Sequence, residues 1–232
     1  MKAAIMQPYL FPYIGYFQLI ASVDLFVVYD DIKYTKKGWI NRNRMLLNGK
    51  DEVFSLPLKR ASDFLNVCER ELSPDFDHLK FLGRIEGAYR RAPYFSQTFP
   101  LIEQIVQNPE RNLFSFILNS IKRTCEHLGI VTDIRISSEI SVDTSLKSQA
   151  RVLGLCEAVG ANAYVNSIGG VDLYSKDEFH ARGIELQFIK SKPFEYRQFD
   201  NEFVPWLSII DVMMFGSIES IRDRIDSGYL LQ

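Results

Sequence analysis

The sequence predicts an α/β fold on a mostly parallel sheet, with a Rossmann-like N-terminal half and helix-rich middle and C-terminal segments. Three observations predict it. The chain opens with a strand, turn, helix, strand pattern between Lys2 and Tyr29. Short apolar runs alternate with segments of helical period from Ile134 onward, and Asp75 to Leu128 is helical in most of its apolar spacing. Strands joined through helices are normally parallel, since the helix returns the chain to its starting edge.

Lys2 to Met6 is apolar and stops at Gln7-Pro8, as a buried strand does at a turn. Gly15 to Ser22 reads as a helix with Phe17 and Ile20 on one face, and Leu25 to Tyr29 as a second strand. Asn48-Gly49 between Met45-Leu46-Leu47 and Val53-Phe54 is a hairpin signal. Phe76, Leu79, Leu82, Ile85 and Tyr89 recur at helical spacing until Pro93. Further helices are expected over 101–107, 113–128, 149–159, 175–182, 208–215 and 218–226, and strands over 134–140, 163–166 and 184–189.

The 232 residues suffice for one domain over 1–232. Hydrophobic residues at 47% and charged residues at 24% are those of a self-folding globular chain. A net charge of −2 gives no footprint for duplex nucleic acid. Cys68, Cys125 and Cys156 are widely spaced, and the histidines His78, His127 and His180 show no ligand spacing. Neither a disulfide framework nor a bound metal is predicted. No apolar run reaches the length of a membrane span, so no membrane insertion and a cytoplasmic location are expected.

Three constellations carry the candidate chemistry. Gln7, Tyr9, Tyr13, Gly15 and Tyr16 fall between the first strand and the first helix, where open α/β sheets bind ligands. The alternative is a rigid turn whose tyrosines pack on the core. Asp30-Asp31 closes the next strand, as metal ligand, proton acceptor or amine holder, with one carboxylate facing a ligand and the other pairing with Lys33 or Lys36. Lys36, Trp39, Asn41, Arg42, Asn43 and Arg44 combine cations, amides and an indole, suited to phosphate and to stacking on a base or sugar. An extended chain would set Trp39 with Asn41 and Asn43 on one face, and Arg42 and Arg44 on the other; the plainer reading is a solvated amphipathic strand.

His78 is a candidate general base or a helix-packing residue. Asn166-Ser167 runs into Gly169-Gly170, a turn able to hold a polar group. Tyr196 and Gln198, followed by Phe203 and Leu207 to Asp211, form a possible second wall.

These residues resemble the WbqC-like family in Gln7-Pro8-Tyr9, Pro12-Tyr13-Ile14-Gly15-Tyr16-Phe17, Tyr29-Asp30-Asp31, Trp39-Ile40-Asn41-Arg42-Asn43-Arg44, Ala92-Pro93-Tyr94-Phe95 and Leu207-Ser208-Ile209-Ile210-Asp211. The resemblance implies a place in O-antigen or other surface-polysaccharide biosynthesis. It also implies a glycine, aminoacyl or acyl transferase acting on the amine of a nucleotide-linked amino sugar, with an activated acyl or aminoacyl donor as second partner. Under that reading Lys36, Arg42 and Arg44 hold phosphates, Trp39 and Tyr13 stack, and Asp30, Asp31 or His78 takes the proton. Cofactor and oligomeric state stay open. A nucleotide-binding protein similar to nucleotidylyltransferases, with Tyr13-Ile14-Gly15-Tyr16 where those carry HxGH, and a non-catalytic assembly partner are the alternatives.

Overall fold

A computed structural model describes residues 1–232. The strands are β1 (Lys2–Met6), β2 (Leu25–Val28), β3 (Arg42–Leu47), β4 (Lys50–Ser55), β5 (Asp133–Ile136), β6 (Ala163–Ser167), β7 (Glu185–Ser191) and β8 (Tyr229–Leu231). The helices are α1 (Ile14–Ala21), α2 (His78–Tyr89), α3 (Phe95–Val106), α4 (Leu113–Leu128), α5 (Ser148–Ala158), α6 (Lys176–Ala181), α7 (Ile209–Phe215) and α8 (Ile218–Ser227).

Six strands form one sheet in the order β5-β2-β1-β6-β7-β8, parallel except for β8. Counted along its five parallel members, this is the Rossmann-type order, with the reversal between β1 and β6. The Rossmann-like part is therefore wider than the N-terminal half, since residues 29–132 are inserted between β2 and β5. Both faces of the sheet are buried. Ala3, Ile5, Leu25, Val27 and Tyr164 face one way, against Val152, Leu155 and Cys156 of α5 and Phe179 of α6. Ala4, Phe26, Val28 and Val165 face the other, against Phe17 and Ile20 of α1 and Ile221 and Ile225 of α8. Sheets covered on both faces need continuous apolar strands, as β2 is.

Inside the insertion, β3 and β4 pair antiparallel, and Asn48 and Gly49 at φ 52° and 74° make the tight turn that requires positive φ twice. Asp77 and Asn112 cap α2 and α4, accepting from Lys80 N and Ser115 N.

Some expectations change. The strand foreseen over 134–140 ends at Ile136, because Ser137 turns in a 3-10 turn to meet the end of β2. Residues 37–41 bend rather than extend, so β3 starts only at Arg42. The helix expected at 101–107 begins at Phe95, with Pro100 inside its second turn. β8 falls on Tyr229–Leu231, past the elements foreseen.

Candidate functional site

Three segments distant in sequence are bolted together beyond the carboxyl end of β1. Leu10 N donates to Ile40 O (2.9 Å) and Ile209 N to Pro12 O (2.9 Å). Asn43 Nδ2 donates to the carbonyls of Leu10 (3.0 Å) and Phe11 (2.9 Å), and Ser208 Oγ to that of Phe11 (2.7 Å). Ser208 N donates to Arg44 O (2.9 Å), and Arg44 Nη2 to Trp206 O (3.2 Å). Two residues of this frame are left-handed, Phe11 at φ 41° and Trp206 at φ 61°. Bulky residues held there store roughly 1–3 kcal/mol each and persist only where neighbours over-determine them. The bonds to Phe11 O do so.

The frame encloses a two-chambered cleft. One chamber, of about 220 Å³, lies among Tyr9, Tyr13, Trp39, Arg44 and Trp206. The other, of about 280 Å³, shares Tyr13 and Trp206 and runs to Lys192, Glu195, Tyr196 and Phe203. Glu195 is the sole carboxylate lining either. Both tryptophans of the chain meet here, 42% and 59% exposed, at a position where burial would be more stabilising. Tyr13 and Trp206 meet edge to face at 6.0 Å between ring centres. The guanidinium carbons of Arg42 and Arg44 sit 5.4 and 5.7 Å from the Trp39 ring centre. Trp39 thus shares the chamber with Asn43, as alternation predicts, but also has both arginines over its ring, because the bend before β3 breaks the strict strand alternation assumed from sequence. Gly15 leaves room for Tyr13: a Cβ there would lie 2.4 Å from the ring as it is seated.

A buried hub supports the inner chamber. Asp211 is fully buried and accepts from Tyr196 Oη (2.6 Å), Gln198 Nε2 (2.8 Å) and Tyr89 Oη (2.9 Å). Burial pushes its carboxyl up, and the three donors oppose that. Tyr196 lines the chamber; Gln198 stands behind it, closing the 198–204 loop through Val204 N (2.7 Å).

The other predicted residues are placed differently. Asn41 binds Leu56 O (2.8 Å) and accepts from Tyr34 Oη (2.9 Å), away from the cleft, whereas buried Asn43 serves the frame from the wall of the outer chamber. Tyr16 is buried, donating to Gln7 O (2.9 Å), while the Gln7 side chain accepts from Tyr9 Oη (3.2 Å). Asp30 is buried against Ser137 Oγ (2.7 Å), Ser138 N (3.0 Å) and Ser138 Oγ (2.8 Å). Asp31 meets the same Ser137 hydroxyl (2.6 Å) and pairs with buried Arg151 (2.8 Å). The two carboxylates therefore converge, past the end of the strand, and neither pairs with Lys33 or Lys36 nor lines the cleft. Asn166 is buried, accepting from Ser167 N (2.7 Å) at the end of β6, also outside the cleft. His78 packs on Phe76, its Nδ1 against Val106 O, and opens on a separate hollow with Glu110 and Arg111. Lys36 turns away to Asp63 (2.8 Å). No three His, Cys, Asp or Glu side chains converge as a metal site.

Sequence reasoning missed Trp206, Glu195 and Lys192. Trp206 carried a signal: one of only two tryptophans, beside Pro205, in a stretch lacking helical period.

Fold and site define a Rossmann-like α/β protein with an aromatic cleft, rimmed by arginine, at the carboxyl end of its first strand. The chain belongs to the WbqC-like protein family, whose model matches residues 7–223, starting at the first residue of the cleft loop. Membership supports a role in polysaccharide biosynthesis. The chain is similar to the uncharacterized protein Rv1507c of Mycobacterium tuberculosis (strain ATCC 25618 / H37Rv), 27% identical over 215 residues, covering 91% of this chain and 92% of that one. No solved structure matches significantly. No helix is long and apolar enough to cross a membrane.

Proposed function

We propose that the cleft binds a nucleotide-linked amino sugar of surface-polysaccharide synthesis and that its amine is there acylated, with a glycyl, aminoacyl or other acyl group. The observation that carries this is the pair of exposed tryptophans facing one arginine-rimmed cleft. Aromatic faces stack on a base or on the apolar face of a sugar, and guanidinium groups fork onto phosphate oxygens. In this reading Trp39 and Trp206 hold the rings, Arg44 the phosphates, and Glu195 the amine. The amine nitrogen attacks the carbonyl carbon of a thioester or ester donor. The C–N bond forms, the C–S or C–O bond breaks, Glu195 accepts the amine's proton, and the leaving thiolate or alkoxide takes it up. Glu195 replaces Asp30, Asp31 and His78 in that role, since those three point elsewhere.

The test is Trp39→Ala, titrated with a panel of nucleotide-linked amino sugars by calorimetry. Losing one ring stack costs roughly 1–3 kcal/mol, or about 5- to 150-fold in affinity. Folding should change by less than about 1 kcal/mol, since Trp39 is substantially exposed. Binding that survives the substitution, or that no sugar of the panel shows, would overturn the reading.

A further inference from the structure

On the insertion, beside the Tyr34 ring and away from the aromatic cleft, a second hollow of about 650 Å³ is lined by Lys36, Lys59, Arg60 and Arg70, with Asp63 as its one carboxylate. Arg70 is unusual. It is 5% exposed, forms no ion pair, and its guanidinium makes one hydrogen bond, Nη1 to Ser62 O (3.0 Å), while Nε has no partner. Its guanidinium carbon lies 4.8 Å from the Tyr34 ring centre. A buried guanidinium without a counter-charge is costly, and folds keep one where something supplies the missing anion.

No nearby carboxylate forms an ion pair with Arg70. Asp63 is taken by Lys36 (2.8 Å) and Glu71 by Lys59 (2.6 Å). Glu69 accepts from the Asn66 backbone (2.8 Å). Arg60 forms no ion pair, and the Lys33 ammonium rests over the Phe64 ring, 4.7 Å from its centre. The local field is positive enough to register on Asp63: its hydrogen bond to Lys36, followed by the charges of Lys36, Arg70 and Lys33, holds its carboxyl below the usual range.

We infer that this hollow is a binding site for a multiply charged phosphate or pyrophosphate group, with Arg70 in its wall and Lys59 and Arg60 at its mouth. Lys36 belongs to this site, and its pairing with exposed Asp63 is weak enough to exchange for a phosphate oxygen. The site stands independently of acyl transfer in the aromatic cleft, and its test reads binding alone.

Full-length protein is titrated with inorganic pyrophosphate by calorimetry at low salt, with sodium chloride at matched ionic strength as the control. Binding above the control is expected, and Arg60→Gln and Lys59→Gln should each weaken it about tenfold, the loss of one charge-assisted contact. Arg70→Gln should abolish it if the variant folds; the two surface variants decide the matter if it does not. Heat no greater than with chloride overturns the proposal. So does binding that both surface variants leave intact and Trp39→Ala removes, which would place the anion in the aromatic cleft.

Discussion

Asn43 is the test of how the cleft is held. Replacing it with alanine removes three hydrogen bonds: those to the Leu10 and Phe11 carbonyls and the one its Oδ1 accepts from Arg44 N (2.8 Å). Phe11 O keeps Ser208 Oγ, but Leu10 O loses the one partner the fold gives it. Two groups are then left wanting, at about 1–3 kcal/mol each when buried, for a total of about 2–6 kcal/mol. For a chain of this length each kcal/mol lowers Tm by roughly 2–4 °C, so a fall on the order of 10 °C is expected. Asn43→Asp is the sharper variant. It keeps an acceptor for Arg44 N but sets a carboxylate against two carbonyl oxygens, so it should destabilise at least as much as alanine. Urea unfolding at fixed pH gives both values. If alanine costs under about 1 kcal/mol, or if aspartate is tolerated and alanine is not, the hydrogen-bond accounting is wrong.

Three further outcomes are expected. Trp206→Gly should retain roughly 1 kcal/mol more stability than Trp206→Ala, because only glycine is relaxed at φ 61°; urea midpoints giving the opposite order would exclude stored strain there. Gly15→Ala should fold within about 1 kcal/mol of the parent yet push the Tyr13 ring off its seat. The near-ultraviolet circular dichroism of the Tyr13–Trp206 pair should then change together with sugar affinity, and an unaltered spectrum would count against the close approach. Alkali should loosen the core, since burial pushes the Cys125 and Cys156 thiols from 9.0 to about 12. Folded-state values above the unfolded ones mean full stability below pH 9.0 and loss as pH rises towards 12. At about pH 10 each thiol accounts for about 1.4 kcal/mol; a Cys125→Ala, Cys156→Ala double variant losing as much between about pH 8 and pH 10 as the parent would refute this.

Much of the sheet was legible because its signals are local. Leu25-Phe26-Val27-Val28 can only be buried on both faces, and Asn48-Gly49 can hardly be anything but a hairpin turn. The candidate site was legible in part. Tyr9, Tyr13, Trp39 and Arg44, which line one chamber, could be grouped in advance because they cluster within the first 44 residues. Trp206, Glu195 and Lys192 reach the cleft only through tertiary contacts, which no spacing rule reveals. Asp30 and Asp31 misled for the complementary reason: their partners Ser137, Ser138 and Arg151 lie more than a hundred residues away, so two committed carboxylates looked free. Trp39 met the alternation rule only in part: it shares a chamber with Asn43, but the bend before β3 also brings both arginines over its ring.

The bond from Ser208 to Phe11 spans 197 positions. During synthesis the loop bearing Phe11 emerges long before Ser208, so Asn43 alone can hold its left-handed conformation until that second bond forms. A product lacking the segment from Trp206 onward would keep Tyr9, Tyr13, Trp39 and Arg44 but lose the wall that both chambers share.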